Sequence, residues 1–525
     1  DVILITPDGR ELRQSLTLPI RSNDPMTAQT RRFSLAGGQS FDFSSDVFAN
    51  LKPGTGKAIL SAGPLARFDA PGLLATLDRY PYGCTEQVTS QALPLLYMSG
   101  VAEEIGLGDR AAIDARIKAD IARILTRQTS NGSFGLWRAG SGDFWLDAYV
   151  SDFLSRARAS GHSVPERAFG LAMDNLRNRI NYAPDFESGG EDIAYALMVL
   201  AREGLAAMGD LRYYADVKAD AFSTPLAAAQ LGAALAYYGD QPRADAMFVR
   251  AARMVETQQS DPLLWRADYG TGLRDAAGVL ALATEAGSDA VNVADLTRRI
   301  TRTDGPLSTQ EAAWSLLAAE ALVAAPEQSG LRINGAAVTG PFVQVLDAGQ
   351  AQPTTTITAA DGRDTDITLT TLGVPETALP AGGTGYAITR SYYTMEGTPI
   401  EQSSRIVGER FVTVLRVTPF EESAARLMID DPLPAGFEID NPNLLRSGDL
   451  AALDWLSLSE AEHAEFRTDR FVAAVNMRKS ATVSLAYVAR AVTPGNFHHP
   501  AASVEDMYRP RFRARTATGR MTVTR

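Results

Sequence analysis

The chain has 525 residues, 62 of them acidic against 50 Lys and Arg, for a formal net charge of −12. That length allows three or four domains with cores of their own, and the acidic balance argues against nucleic acid or an anionic membrane surface as main partner, since both require a basic face. One cysteine excludes a disulfide framework and a cysteine-rich metal site, and His162, His463, His498 and His499 fall at no zinc-ligand spacing. The longest apolar runs, such as Ile193 to Leu200, are too short to cross a bilayer, and no secretory leader opens the chain. It starts at Asp1 without methionine, as expected of a mature product or a fragment whose targeting signal lies upstream.

Residues 1 to 62 alternate apolar and polar positions between turn signals, as in Leu16-Thr17-Leu18-Pro19-Ile20 and Phe41-Asp42-Phe43, and predict short strands. They are too few to stand as a sheet, so partner strands are expected further along the chain. Lys52 to Lys57 imitates a phosphate loop, but Leu51 stands where its first glycine belongs. From 63 to 326 alanine and leucine recur at helical spacing. Ile113, Ile117, Ile121 and Ile124 share one face; Thr224-Pro225 opens a helix that Gly239 ends; Ser308 and Glu311 form a capping box before a helix stopped near Pro326. About a dozen such segments with short connections predict paired helices closed into a toroid. Beyond Pro326 the period returns to two, as in Ile367-Thr368-Leu369 and Val483-Ser484-Leu485-Ala486-Tyr487, which predicts a β-sandwich. His498-His499 before Pro500 reads as a loop, and Arg509, Arg511, Arg513 and Arg515 as one solvated face of a strand.

The chemistry gathers at Tyr80-Pro81-Tyr82-Gly83-Cys84-Thr85-Glu86-Gln87. Residues three apart on a helical turn share a face, so the Cys84 sulfur can reach the side-chain carbonyl carbon of Gln87. Attack there expels ammonia and leaves an internal thioester, an acyl donor that an arriving amine can open. Such a bond needs cover from water, and Tyr80 and Tyr82 are near enough in sequence to wall it. The alternative reading of the same residues is a lone buried cysteine beside a helix start.

The stretch resembles the Cys-x-Glu-Gln thioester site of the α2-macroglobulin and complement family, and Tyr80-Pro81-Tyr82-Gly83 is similar to its bacterial version. Trp145-Leu146-Asp147-Ala148-Tyr149-Val150 and Ser308-Thr309-Gln310-Glu311-Ala312-Ala313 resemble helix starts of the macroglobulin thioester domain, and Asp431 to Phe437 resembles a turn of the terminal sandwich. The resemblance implies a multidomain α plus β fold: an α/α-toroid thioester domain, 63–326, inserted in a CUB-like β domain, 1–62 and 327–390, and followed by a macroglobulin-like β-sandwich, 391–525. It implies a protease inhibitor rather than an enzyme, one that captures attacking proteases through their lysine amines with a single-use thioester of Cys84 and Gln87. Gly83 and Glu86 would support that bond, and Tyr508 of the terminal sandwich would join Tyr80 and Tyr82 as its shield.

The resemblance further implies no cofactor and no metal, and a monomer in the periplasm, with membrane anchoring only through an upstream lipidated segment. The family's bait segment lies upstream of the thioester region and is not expected in this chain, which reads as the C-terminal portion. Complement relatives carry an acyl-accepting histidine where residues 181–192 here have none, so transfer goes directly to amines. Two other readings remain: a non-covalent binding scaffold whose thioester is lost, and a glycan-active toroid with Asp143, Glu187 or Asp192 as acid and base.

Overall fold

The computed structural model describes every residue except 18–21, 184, 259–264, 303–304, 324–330, 339–341, 350–353, 361, 363, 402, 441–455 and 478–480. The expected helix stop at Pro326 and the expected strand residues Leu18, Pro19 and Ile20 lie outside the described residues.

The early strands find their partners some three hundred residues later. Thr27–Leu35, Thr365–Gly373, Lys57–Ala62 and Phe342–Asp347 pair in that order as an antiparallel sheet, with Leu369 opposite both Arg31 and Leu60. Ser40–Phe43, Thr355–Ala359, Leu331–Ile333 and Ala336–Val338 form a second sheet. Alternate residues of both, among them Leu35, Phe43, Leu60, Ile357 and Ile367, meet in one core, the side-chain period of two bringing one face of each sheet inward. Val2–Ile5 and Glu11–Gln14 form a separate hairpin.

Between Ala62 and Leu331 the elements of the described residues are helices. Thr85–Leu95, Phe144–Ala159, Glu191–Arg202, Pro225–Tyr237, Gly272–Glu285 and Thr309–Val323 pack each on the next, and the last returns to the first, closing an inner ring. These helices are buried nearly all round because shorter or amphipathic ones cover them from outside. Arg110–Leu125 is one such cover: Ile113, Ile117, Ile121 and Ile124 are its buried stripe, each contributing about 1.5–3 kcal/mol by leaving water. The Thr224 hydroxyl caps Pro225–Tyr237, and Ser308 and Glu311 make the expected reciprocal bonds, Glu311 N to Ser308 Oγ at 3.2 Å and Ser308 N to Glu311 Oε2 at 2.8 Å.

The remaining strands build a sandwich. One sheet contains Ala425–Pro432, Arg470–Met477 and Ser503–Asp506, the other Tyr386–Tyr393, Arg410–Pro419 and Val483–Ala491. Leu427, Ile429, Ala473, Val475 and Val504 point into the sandwich core. Their strand neighbours Met428, Val472 and Ala474, with Met507 and Tyr508 just beyond, join the core of the helical ring instead. This sheet is therefore buried on both faces, and its outer face seats the sandwich on the ring.

Two local expectations change. His498 and His499 end a strand, Gly495–His499, that pairs with Gly519–Thr524, because backbone pairing overrides the Gly/Asn turn signal. Arg509 does not share a strand face with Arg513 and Arg515: it lies in the turn after Asp506, buried, donating to Asp506 Oδ2 at 2.8 Å and to the Ala424 carbonyl at 2.7 Å.

Candidate functional site

Cys84 is the N-cap of Thr85–Leu95, with the extended backbone that position requires. The Gln87 main-chain N–H donates to Cys84 Sγ at 3.4 Å, and the Cys84 N–H donates to Gln87 Oε1 at 3.1 Å. This is a capping box with sulfur in the place of a hydroxyl, and it holds the thiol and the carboxamide against one another. Cys84, Thr85, Glu86 and Gln87 are all fully buried. Gln87 Nε2 has no hydrogen-bond partner among the described residues, although a buried amide donor ordinarily finds one.

The approach to the cap is fixed from a distance. Arg127 Nη2 and Arg123 Nη2 donate to the Gly83 carbonyl at 2.7 and 3.1 Å, and a Cβ on residue 83 would collide with the Arg123 guanidinium. Thr85 adds hydroxyl and main-chain bonds to the 135–136 loop, the latter from its N–H to Leu136 O at 2.7 Å.

Glu86 points the other way, into the ring. It accepts from Ser90 Oγ at 2.6 Å, Gln310 Nε2 at 2.8 Å and Thr309 Oγ1 at 3.0 Å, and so ties the first inner helix to the last. Burial pushes its carboxyl up, and these donors pull it partly back. Ser90 in turn shares a 2.7 Å hydrogen bond with the Tyr149 hydroxyl. Burial also pushes the Cys84 thiol up to about 12, with Glu86 adding to the effect, so the sulfur is neutral while the site is covered.

Three tyrosines surround this cap. The Tyr80 and Tyr82 rings meet edge to face at 5.4 Å. Tyr508 arrives from the sandwich, packs edge to face on Tyr269 of the ring at 4.8 Å, and lies close enough to Cys84 and Glu86 to bear on the ionisation of both. The Tyr80 hydroxyl is buried without a hydrogen-bond partner among the described residues, and the Tyr508 hydroxyl is buried beside Cys84 and Glu86. Every residue singled out in the sequence as part of a thioester site, Tyr80, Tyr82, Gly83, Cys84, Glu86, Gln87 and Tyr508, is thus placed in one neighbourhood. Sequence reading missed Arg123, Arg127, Thr309, Tyr269 and Arg426; only Thr309 lay within a stretch already noticed.

Arg426 of the sandwich sits over the Tyr269 ring at 4.4 Å and within 3.7 Å of Asp143, whose carboxylate accepts from the Tyr269 hydroxyl. Asp143 also caps its helix through Leu146 N at 3.0 Å, while Asp192 accepts from its neighbour Ile193 N and Glu187 is exposed. Among the described residues no cluster of His, Cys, Asp and Glu is arranged to hold a metal, and no helix is long and apolar enough to cross a membrane.

Residues 60–177 match the family model described as the A-macroglobulin TED domain, and residues 385–511 the one described as the bacterial alpha-2-macroglobulin MG10 domain. Among curated relatives, the alpha-2-macroglobulin of Escherichia coli K12 is 32% identical over 95% of this chain and 32% of its own length. That of Xylella fastidiosa Temecula1 is 29% identical over 99% of this chain and 33% of its own. This chain thus spans about a third of their length. The crystal structure of native Escherichia coli alpha-2-macroglobulin from domain MG7 to the C-terminus superposes with a TM-score of 0.84 at 28% identity, covering 96% of this chain and 83% of that one. Salmonella alpha-2-macroglobulin reacted with methylamine superposes with a TM-score of 0.83 at 30% identity, covering 95% of this chain and 34% of that one.

Proposed function

This chain belongs to the bacterial alpha-2-macroglobulin family, matching its C-terminal portion, and from that premise we propose that Cys84 and Gln87 form an internal thioester through which an attacking protease is captured covalently. The observation that carries this reading is the orphaned Gln87 Nε2. Thioester formation removes that group. Sγ bonds to the Gln87 Cδ, the C–N bond breaks, and the nitrogen leaves as ammonia with the thiol proton. An unsatisfied buried amide and a thiol that burial keeps neutral are both replaced by an uncharged acyl–sulfur bond, while Oε1 keeps its hydrogen bond from Cys84 N.

Capture reverses the sense. A lysine amine bonds to Cδ, the C–S bond breaks, and the amine proton passes to the Cys84 sulfur, leaving an isopeptide link on residue 87. Tyr80, Tyr82 and Tyr508 exclude water until the sandwich lifts from the ring. Exposure then does two things: it admits the amine, and it lets the Cys84 thiol relax from about 12 toward an ordinary value, which makes sulfur a better leaving group. The Salmonella relative's reaction with methylamine supports the presence of an amine-sensitive centre on this fold.

A protein that reacts once, with no regeneration, is an inhibitor and not a catalyst. On this reading the trap works in the periplasm, as a monomer without cofactor. The test is titration of Cys84 with a thiol reagent in denaturant, before and after methylamine. The account expects no free thiol before treatment and one per chain after it; one free thiol in fresh protein points to the non-covalent scaffold.

A further inference from the structure

A carbonyl under attack, by a thiol or by an amine, places its negative charge on its own oxygen, so the donor to that oxygen controls how readily the attack proceeds. Here the oxygen is Gln87 Oε1, and its donor is the Cys84 main-chain N–H at 3.1 Å. That N–H belongs to the Gly83–Cys84 peptide, whose carbonyl accepts from Arg127 at 2.7 Å and from Arg123 at 3.1 Å. A peptide group is planar and conjugated, so cations at its oxygen draw density from its nitrogen and strengthen the N–H as a donor. Glycine at 83 is what lets the guanidinium approach, since a side chain there would displace Arg123.

We propose that the Cys84 N–H is the oxyanion donor of the acyl site and that Arg123 and Arg127 are positioning residues that polarise it through the Gly83 carbonyl. The proposal rests on the thioester reading. When Sγ adds to Cδ, the carbonyl pair moves to Oε1 and is held by Cys84 N–H; the pair returns as the C–N bond breaks and ammonia leaves. When an amine adds to the thioester, the same oxygen takes the charge, and the C–S bond breaks in its turn. One donor serves both steps because Oε1 stays in place while nitrogen and sulfur exchange at Cδ. Four residues of separation on the end of Arg110–Leu125 and the turn after it bring both guanidinium groups to the same oxygen.

Two readouts test this: the rate of Cys84 thiol release by methylamine, and the infrared band of the Gln87 carbonyl in protein labelled with ¹³C at glutamine Cδ, taken as the difference from Gln87→Ala. Arg123→Gln is the cleaner variant, because the bond to Gly83 is the only side-chain hydrogen bond of Arg123 among the described residues. It is expected to slow release about tenfold, a fraction of the loss from deleting an oxyanion donor outright, and to move the carbonyl band to higher wavenumber. Arg127→Lys, which keeps a cation at the oxygen, is expected to fall between it and the wild type. If the arginines only held the cover closed, their loss would speed release and leave the band in place; that result, or a thioester band unmoved by Arg123→Gln, overturns the proposal alone. A wild-type band at an amide frequency removes the thioester, and the catalytic role with it.

Discussion

Burial sets two opposing conditions on Cys84. A thiol pushed up to about 12 is inert toward outside electrophiles, and the same burial makes its departure as a leaving group difficult. A latent acyl donor needs both properties until it is uncovered. On the proposed reading Tyr508 sets the moment of uncovering, since it alone among the three tyrosines belongs to the sandwich, where its ring packs on Tyr269 and its hydroxyl lies beside Cys84 and Glu86. Tyr508→Ala opens a path to the sulfur without touching the capping box. Methylamine is then expected to release the Cys84 thiol about tenfold faster, the change that about 1.4 kcal/mol of lost cover produces. An unchanged rate removes Tyr508 from the shield and leaves the task to Tyr80 and Tyr82.

Whole elements show what the sequence could and could not reveal. The spacing Cys84 to Gln87 is that of a capping box, and Ser308 to Glu311 repeats it with ordinary chemistry, so both helix starts were legible from local pattern. The four isoleucines of Arg110–Leu125 marked the buried stripe of that helix, yet gave no hint that Arg123 and Arg127, beside that stripe, reach back forty residues to Gly83. Nothing local encodes that contact, because it exists only once Arg110–Leu125 has packed on Thr85–Leu95. Tyr269 and Arg426 were invisible for the same reason, depending on the docking of two separately folded units. Ala425–Pro432 did carry a signal: its run Leu427-Met428-Ile429 breaks the alternation of a one-sided strand, as a sheet buried on both faces requires. The strand at His498-His499 was hidden by turn-forming neighbours and is held by its pairing with Gly519–Thr524.

At the scale of the molecule, the sandwich rests on the ring through contacts of mixed kind. Arg426 covers Tyr269, His463 stacks on Trp137 at 4.6 Å, and Arg467 reaches the Pro81 carbonyl beside the thioester stretch. Glu505 is part of this seat: its strand neighbour is Met428, and Tyr80 and Tyr82 lie within its electrostatic reach. Burial pushes its carboxyl up to about 7, with Arg513 and Arg515 opposing and Asp506 reinforcing the shift. A carboxyl raised in the docked form favours docking most below its ordinary value of 4.5; docking weakens as pH rises from there to about 7 and changes no further above it. Asp430, raised to about 6 on the same sheet, acts in the same sense. The calorimetric melting temperature is therefore expected to fall between pH 5 and 7, with a shallower fall in Glu505→Gln; an identical slope in the variant excludes Glu505 as a contributor.

All of this turns on one covalent bond, and the mass of the Tyr80 to Gln91 peptide, taken from protein kept native and free of amines, reads it most directly. The account predicts a peptide lighter by one ammonia than its sequence requires, and a methylamide on residue 87 after methylamine. A peptide of full mass in fresh protein, with Cys84 and Gln87 both unmodified, contradicts it.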